Sequence, residues 1–303
     1  MTNPYKMPQF FINAFYESKF KDNLFVIKAG GKIIEDRTHL DNLLDNIRTL
    51  NLQGIKVLLI YGGGRAMDDE AKKRGVPVQK TGGRRITDSA SMDIMKHVVG
   101  GSLSLDVSSG LTRNQIDGLS FNVVPSDWMS VSLRPKTPED LFTGGIDAVH
   151  TRPINRLFKV TNFIACACLA ITNDNGTVCN INADTIATEL AIGLKAHKLI
   201  FLSDVDGVEI DGKVAGLITA EEIAGHITSG AVTGGMTVKL ENCKSALEAG
   251  VRRIHLISGL RTDSLKKEIY EPVGPGTMLI HESDRQNYEN EVEAQKLIEG
   301  QKP

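Results

Sequence analysis

A recurring order limits this fold more than any other feature: a short apolar run, then glycine or acidic residues, then a stretch with helical spacing. Leu24 to Lys28 lead into Gly30-Gly31 and a helical pattern over about 36–52. "KVLLIY" (Lys56 to Tyr61) runs into Gly62-Gly63-Gly64 and a helix over about 66–74. "NFIACACLAI" (Asn162 to Ile171), "HKLIFLSDVDG" (His197 to Gly207) and "RIHLIS" (Arg253 to Ser258) repeat the theme, beside helical stretches at about 182–196, 236–249 and 262–269. Continuous apolar strands alternating with helices are what a parallel sheet covered on both faces requires. The expected class is α/β, with a mostly parallel, open sheet sandwiched by helices. In such sheets ligands sit at the carboxyl ends of the strands, where the unusual residues of this chain cluster.

The remaining segments read less regularly. "VPVQKTGGRRIT" (Val76 to Thr87) and "VEIDGKVAG" read as hairpins, the second turning at Asp211-Gly212. A long helix is expected over about 88–115, strands near 119–124 and 145–150, and a helix near 219–228. "GTMLI" (Gly276 to Ile280) reads as a last edge strand, and the charged tail from about 284 as a loose or helical end. Phe10, Phe11, Ala14 and Phe15 have helical spacing but precede the first strand. This amphipathic helix either folds back or packs on another subunit, because phenylalanines are costly to leave in water. The chain thus divides into an N-terminal extension (1–22), a main domain (23–283) and a tail (284–303).

Composition narrows the class. The 303 residues are 41% hydrophobic and 24% charged, ordinary values for a globular protein with a real core. A net charge of -2 provides no basic field for nucleic acid, and Lys72-Lys73-Arg74 is a short solvated face. Cys166 and Cys168 have strand spacing but lack the second pair that a zinc site needs, so the four cysteines read as buried thiols in a reducing compartment. The N-terminal apolar patch is too short and interrupted for a signal segment, and no run approaches a membrane span. A cytoplasmic protein is expected.

Chemistry concentrates at the strand ends. Glycine lets backbone N–H groups approach an anion closely, and a helix start after the loop adds a favourable dipole. Gly30-Gly31 beside Lys28, and Gly62-Gly63-Gly64, suit this use, although either is also compatible with a plain turn; neither matches a Walker or dinucleotide loop. In "TGGRRITD" one arginine can clamp a carboxylate, and Thr87 or Asp88 can cap the next helix. "NINAD" (Asn180 to Asp184) and "LSDVDG" (Leu202 to Gly207) fit a helix start and an acidic turn, while "GGMTVK" (Gly234 to Lys239) pairs glycines with a lysine again. Together they outline a phosphoryl-transfer site: Lys28 and Lys239 neutralise the moving phosphoryl group, glycine amides hold its oxygens, and Asp184 holds the two ammonium groups.

This ordered set, spanning about Phe25 to Ile280, resembles the amino acid kinase family, most closely its N-acetylglutamate kinase branch. "IKAGG", "YGGG", "GRRITD", "NINAD", "LSDVDGV" and "GGMTVK" are similar to that family's motifs in the family's order. The resemblance implies ATP- and Mg2+-dependent phosphorylation of the side-chain carboxylate of N-acetyl-L-glutamate in arginine biosynthesis. It assigns catalysis to Lys28, Lys239 and Asp184. Gly62, Gly63, Arg85 and Asn180 would bind the amino acid, and Gly30, Gly31, Asp204, Gly207 and Gly235 the nucleotide. An acceptor lobe would span about 23–175 and a nucleotide lobe about 176–283. Mg2+ would ride on the nucleotide, with no metal site of the protein's own. The Phe10–Phe15 helix resembles one that joins family members into hexamers, and Glu268 and Gly274 match an arginine effector site.

Four positions depart from the pattern. Tyr61 stands for a usual histidine, Arg65 for a non-basic residue, Arg84 for a leucine and Lys32 for a small residue. Three of them add positive charge near the expected substrate end, as surface changes or as marks of a more acidic acceptor. A related kinase on another acidic small molecule, and a catalytically silent ligand-binding regulator on the same fold, are the alternative readings.

Overall fold

The computed structural model describes residues 18, 20–81, 84–271 and 274–298. The helix expected around Phe10–Phe15 lies outside the described residues. Eight strands form the main sheet: β1 (Leu24–Ala29), β2 (Lys56–Tyr61), β3 (Leu119–Phe121), β4 (Phe163–Ala167), β5 (Lys198–Ser203), β6 (Leu217–Thr219), β7 (Ile254–Ser258) and β8 (Thr277–Ile280). Their order is β6-β8-β7-β5-β1-β2-β4-β3, and every neighbouring pair is parallel except β7 with β8. The expected fold class is the observed one. Among the described residues no helix is long and apolar enough to cross a membrane.

The helices are α1 (Gly31–Ile34), α2 (Arg37–Leu52), α3 (Gly64–Lys73), α4 (Ser89–His97), α5 (Ser104–Arg113), α6 (Thr151–Leu157), α7 (Ala183–Gly193), α8 (Ile223–Thr228), α9 (Gly235–Glu248), α10 (Ser264–Tyr270) and α11 (Arg285–Ile298). Their starts follow ordinary capping chemistry. Asp36 accepts from the N–H groups of Thr38 and His39, Asp88 from Ser91, and Asn182 from Asp184 and Thr185. The middle of the sheet is the core: Phe25, Val26, Ile27, Leu58, Leu59, Ile200 and Phe201 are shielded on both faces. All four cysteines are buried and unpaired. The hairpin Glu209–Ile210/Lys213–Val214 turns at Asp211 (φ 50) and Gly212 (φ 75), the two left-handed residues that a tight hairpin turn demands.

Several expectations are corrected. Thr277–Ile280 is no edge strand: it lies between β6 and β7, and the edge belongs to β6, which begins within a stretch too short to show a period. The "NFIACACLAI" run is two strands. The Cys168 N–H still donates to Tyr61 O at 2.9 Å, but Leu169–Ile171 then leaves the sheet and pairs antiparallel with Val178–Asn180. Met129–Leu133, unrecognised in the sequence, pairs antiparallel with Gly144–Val149. The long helix over 88–115 is interrupted by a π-helical turn, Val98–Leu103, carrying Gly100-Gly101. Ser104 Oγ donates to Val99 O at 2.7 Å and accepts from Tyr61 Oη at 3.0 Å, which fastens that turn to β2.

Candidate active site

Lys28 is the next-to-last residue of β1, and Asp184 stands in the first turn of α7. Lys28 Nζ lies 2.9 Å from Asp184 Oδ1, and Lys239 Nζ, from the second turn of α9, lies 4.0 Å from Oδ2. Three elements thus converge on one carboxylate. The three side chains are between 16% and 21% exposed, so they are sheltered yet reachable. Two ammonium groups against one carboxylate leave a net positive charge, the sign that a phosphoryl oxygen seeks. Burial pushes the Lys239 ammonium below its ordinary range; Asp184 opposes that shift and Lys28 adds to it. The Phe201 ring, 5.6 Å from Lys239 Nζ, supplies a further contact for the cation.

A cleft of about 500 Å3 opens beside this cluster. Its walls include Lys28, Gly31, Gly62, Gly63, Arg85, Asn180 and Asp184. At Gly63 the glycine is needed for space. A Cβ on Gly63 would stand 2.3 Å from Leu103 Cδ1 and 3.2 Å from Val99 Cγ2 of the π-helical turn, so a side chain there would force the Leu103 side chain to move. Arg85 is only 11% exposed; it donates to Asp68 and, at 3.4 Å, to Gly64 O. Asp68 also receives Lys80 Nζ at 3.0 Å. Burial alone would raise the Asp68 carboxyl, but the bonds from Arg85 and Lys80 outweigh it and hold it below the usual range. Asn180 Nδ2 donates to the Thr87 hydroxyl at 3.0 Å.

Gly30, Asp204, Gly207, Gly235 and Lys239 are not among these walls. The Gly30 N–H donates to Leu202 O at 3.0 Å, and a Cβ there would lie 4.0 Å from Lys28 Nζ. Asp204 pairs with Lys32 across the ends of β5 and β1, and that bond holds its carboxyl below the ordinary range. A Cβ on Gly207 would meet Thr277 Oγ1 at 2.6 Å and Thr277 N at 3.1 Å, so its backbone lies close against β8. Gly234, at φ 62, precedes α9, and both it and Gly235 face open space.

The four departures resolve differently. Tyr61 is fully buried and bonded to Ser104, so it is part of the core, and burial raises its hydroxyl far above the ordinary range. Lys32 and Arg65 line a separate surface hollow, with Arg65 3.8 Å from Asp69 in an exposed pair. The Arg84 side chain lies outside the described residues. Two cations that the sequence did not single out, Arg134 and Lys136, do line the main cleft.

Glu268 and Gly274 lie elsewhere. Glu268 Oε1 accepts from His255 Nδ1 at 2.6 Å, and Oε2 accepts the Gly276 N–H at 3.3 Å. Lys198 Nζ donates to His255 Nε2 at 3.0 Å. Burial pushes His255 down to about 4, with Lys198 adding to the fall, so the ring is neutral at pH 7. The bonds then assign its proton to Nδ1. A Cβ on Gly274 would stand 2.0 Å from Glu268 Oε2. Lys198 and His255 escaped the sequence reading; their only signal is a charged residue at the start of an apolar run.

A profile described as the amino acid kinase family matches residues 23–258. The acetylglutamate kinase of Chlorobium limicola is 32% identical over 275 residues, covering 91% of this chain and 90% of that protein. A Nostoc acetylglutamate kinase is 32% identical over 270 residues, covering 88% of this chain and 90% of that protein. Among solved structures, N-acetylglutamate synthase from Neisseria gonorrhoeae, complexed with coenzyme A and N-acetyl-glutamate, superposes with a TM-score of 0.80 at 22% identity, covering 94% of this chain and 69% of that one. Giardia carbamate kinase gives 0.60 at 16% identity, covering 86% and 99%. The solved structures share the fold, and the curated relatives share sequence along most of the chain. Joined to the motif order and the two-lysine cluster at the strand ends, they make this chain a member of the amino acid kinase family.

Proposed function

We propose that the protein transfers the γ-phosphoryl group of ATP to the side-chain carboxylate of N-acetyl-L-glutamate, giving an acyl phosphate for arginine biosynthesis. The observation that carries this reading is the Asp184 carboxylate between Lys28 and Lys239 beside a glycine-walled cleft. The acceptor carboxylate is ionised at neutral pH and is itself the nucleophile. Its oxygen forms a bond to the γ-phosphorus while the bond to the β–γ bridging oxygen breaks and ADP departs. No general base is needed. Lys28 and Lys239 stabilise charge on the equatorial oxygens, and Asp184 keeps both ammonium groups aimed. Gly62, Gly63, Arg85 and Asn180 hold the amino acid. Gly30, Gly31, Asp204, Gly207 and Gly235 serve the nucleotide, the open start of α9 suiting a phosphate. On this reading residues of about 23–175 form the acceptor lobe and about 176–283 the nucleotide lobe.

Asp184 faces two ammonium groups, a donor set that suits a phosphate chain better than a resident cation. Mg2+ is therefore assigned to the ATP oxygens, where it neutralises charge. We also read the chain as a cytoplasmic homodimer, or a hexamer through its N-terminal helix, with arginine as an effector near Glu268 and Gly274. Glu268 has the charge that a guanidinium seeks, but His255 and the Gly276 N–H already hold its two oxygens, so arginine would have to displace one of them; an isothermal titration without heat on adding arginine would count against that site.

The test is ADP formation with Mg-ATP and N-acetyl-L-glutamate, trapping the acyl phosphate with hydroxylamine, with glutamate, aspartate and N-acetylaspartate in parallel. Selective turnover of N-acetyl-L-glutamate supports the proposal. Turnover of another acid points to the related-kinase alternative, and silence with all four points to a further acceptor or to the silent regulator.

A further inference from the structure

Asp140 is 1% exposed and stands outside every sequence motif, yet its carboxylate ties its own loop to the Thr87 segment, and the bonds around it bring in a third segment at Asn180. Oδ1 accepts the Thr87 N–H at 3.0 Å and the Thr143 hydroxyl at 2.5 Å, and Oδ2 accepts the Lys136 N–H at 3.1 Å. Around this centre the Phe142 N–H donates to Thr87 O at 3.0 Å, and the Asn180 N–H to Phe142 O at 2.8 Å. The Thr87 hydroxyl, fixed on its backbone side by Asp140, receives Asn180 Nδ2 at 3.0 Å. Lys136, Thr143 and Asn180 line the cleft themselves, and Thr87 follows Arg85 by two residues.

Burying a carboxylate is costly unless hydrogen bonds replace its water. Here, among the described residues, no cation lies within ion-pair distance of Asp140. Its charge is met by two backbone N–H groups and one hydroxyl, bonds strengthened by that charge. Only a group that accepts at both ends can do this. An asparagine would turn a donor toward either the Lys136 N–H or the Thr87 N–H and lose one segment. The expense of burying the charge is explained if the three segments must be held in mutual register.

We propose that Asp140 is a positioning residue for the acceptor. Through Thr87 it sets Arg85 and Asn180, and through Lys136 and Thr143 it sets the hairpin wall. The inference rests on the reading of Arg85 and Asn180 as acceptor-binding residues. Asp140→Asn raises KM for N-acetyl-L-glutamate by about ten- to a hundred-fold, as misplaced binding groups do, while KM for ATP stays within about two-fold. Thr143→Val, which removes one donor and leaves the buried charge with two, gives a smaller rise of the same kind and serves if Asp140→Asn does not fold. Equal effects on both KM values, or none, overturn the proposal.

Hydrogen exchange provides a readout that needs no acceptor. In the variants, exchange over about 85–88, 134–146 and 178–182 accelerates together, while Leu202–Gly207 is unchanged. If the wild type turns over none of the acceptors but this joint acceleration is seen, the acceptor assignment fails and the positioning role stands. If turnover is normal and the three segments respond independently, the positioning role fails.

Discussion

Two lysine–carboxylate clusters occupy opposite ends of the same parallel strands, and their surroundings make them different devices. Lys198 begins β5 in register with Phe25, whereas Lys28 is the next-to-last residue of β1, in register with Phe201. At the amino end, Lys198, His255 and Glu268 are 3%, 2% and 6% exposed, with bonds of 3.0 and 2.6 Å. At the carboxyl end, Lys28 and Asp184 border a cleft, and Lys239 stands behind them, 4.0 Å from the Asp184 carboxylate. The sealed cluster has every main group bonded. The open cluster has spare positive charge and room beside it. Similar residue types therefore serve cohesion at one end and suit an anionic ligand at the other, and access decides which.

The sharpest way to break the comparison is to remove a carboxylate from the sealed cluster. Glu268→Ala leaves Lys198 buried without its countercharge and is expected to lower unfolding free energy by about 3–5 kcal/mol, read by urea denaturation. Turnover per folded molecule is expected to be retained. Lys28→Ala does the reverse. It is expected to reduce kcat about 10²–10³-fold, read by ADP release, with little change in the urea midpoint. Equal stability losses in both variants would erase the distinction.

Acid titration sharpens it further. His255 has a folded value of about 4 against 6.5 in the unfolded chain. Between those values the unfolded chain binds a proton that the folded one refuses, so stability is present above pH 6.5 and is lost as pH falls toward 4. Glu268, also held below its ordinary 4.5, extends the loss in the same direction. The slope from His255 is at most about 1.4 kcal/mol per pH unit, and His255→Asn is expected to flatten it in urea titrations between pH 6.5 and 4. At the open end the prediction concerns activity. Lys239 is pushed below the ordinary lysine range in the free protein, so the alkaline limb of kcat/KM is expected below 10.5. Asp184→Asn, which removes the opposing charge, is expected to move it lower still in a pH–rate profile. The smallest effect belongs to the exposed Lys32–Asp204 pair, where Lys32→Ala is expected to change stability by less than about 1 kcal/mol in thermal unfolding.

Legibility in the sequence follows the range of each interaction. Lys28 with Gly30-Gly31, and Gly62 to Gly64, could be read because an apolar run ending in lysine or glycine is a local oddity. Asp211-Gly212 could be read because a tight turn is a property of two adjacent residues. The hold of Asp68 on Arg85 could not, since the partners are 17 residues apart on a helix and a hairpin. The bonds joining Thr87 to Asp140 and Lys198 to His255 span 53 and 57 residues. The π-helical turn was invisible because its apolar spacing continues that of the helices on either side, and what marks it is the hydroxyl link from Ser104 to Tyr61.

From its sequence alone, the chain was committed to a parallel sheet layered by helices, with unusual chemistry at the carboxyl ends of strands. Periodicity decides which face of an element is apolar, and a break in periodicity is visible without knowing what lies opposite. Apart from the Lys28–Asp184–Lys239 trio, only the tertiary structure decided which charges meet. It turned Lys32 toward Asp204, sank Tyr61 into the core and sealed His255 with Glu268, while the meeting of Asp184 with Lys28 and Lys239 is already expected from the sequence. An ion pair or a buried bond depends on the relative placement of two elements to within about an ångström, and that placement is set by the packing of the whole core rather than by either segment.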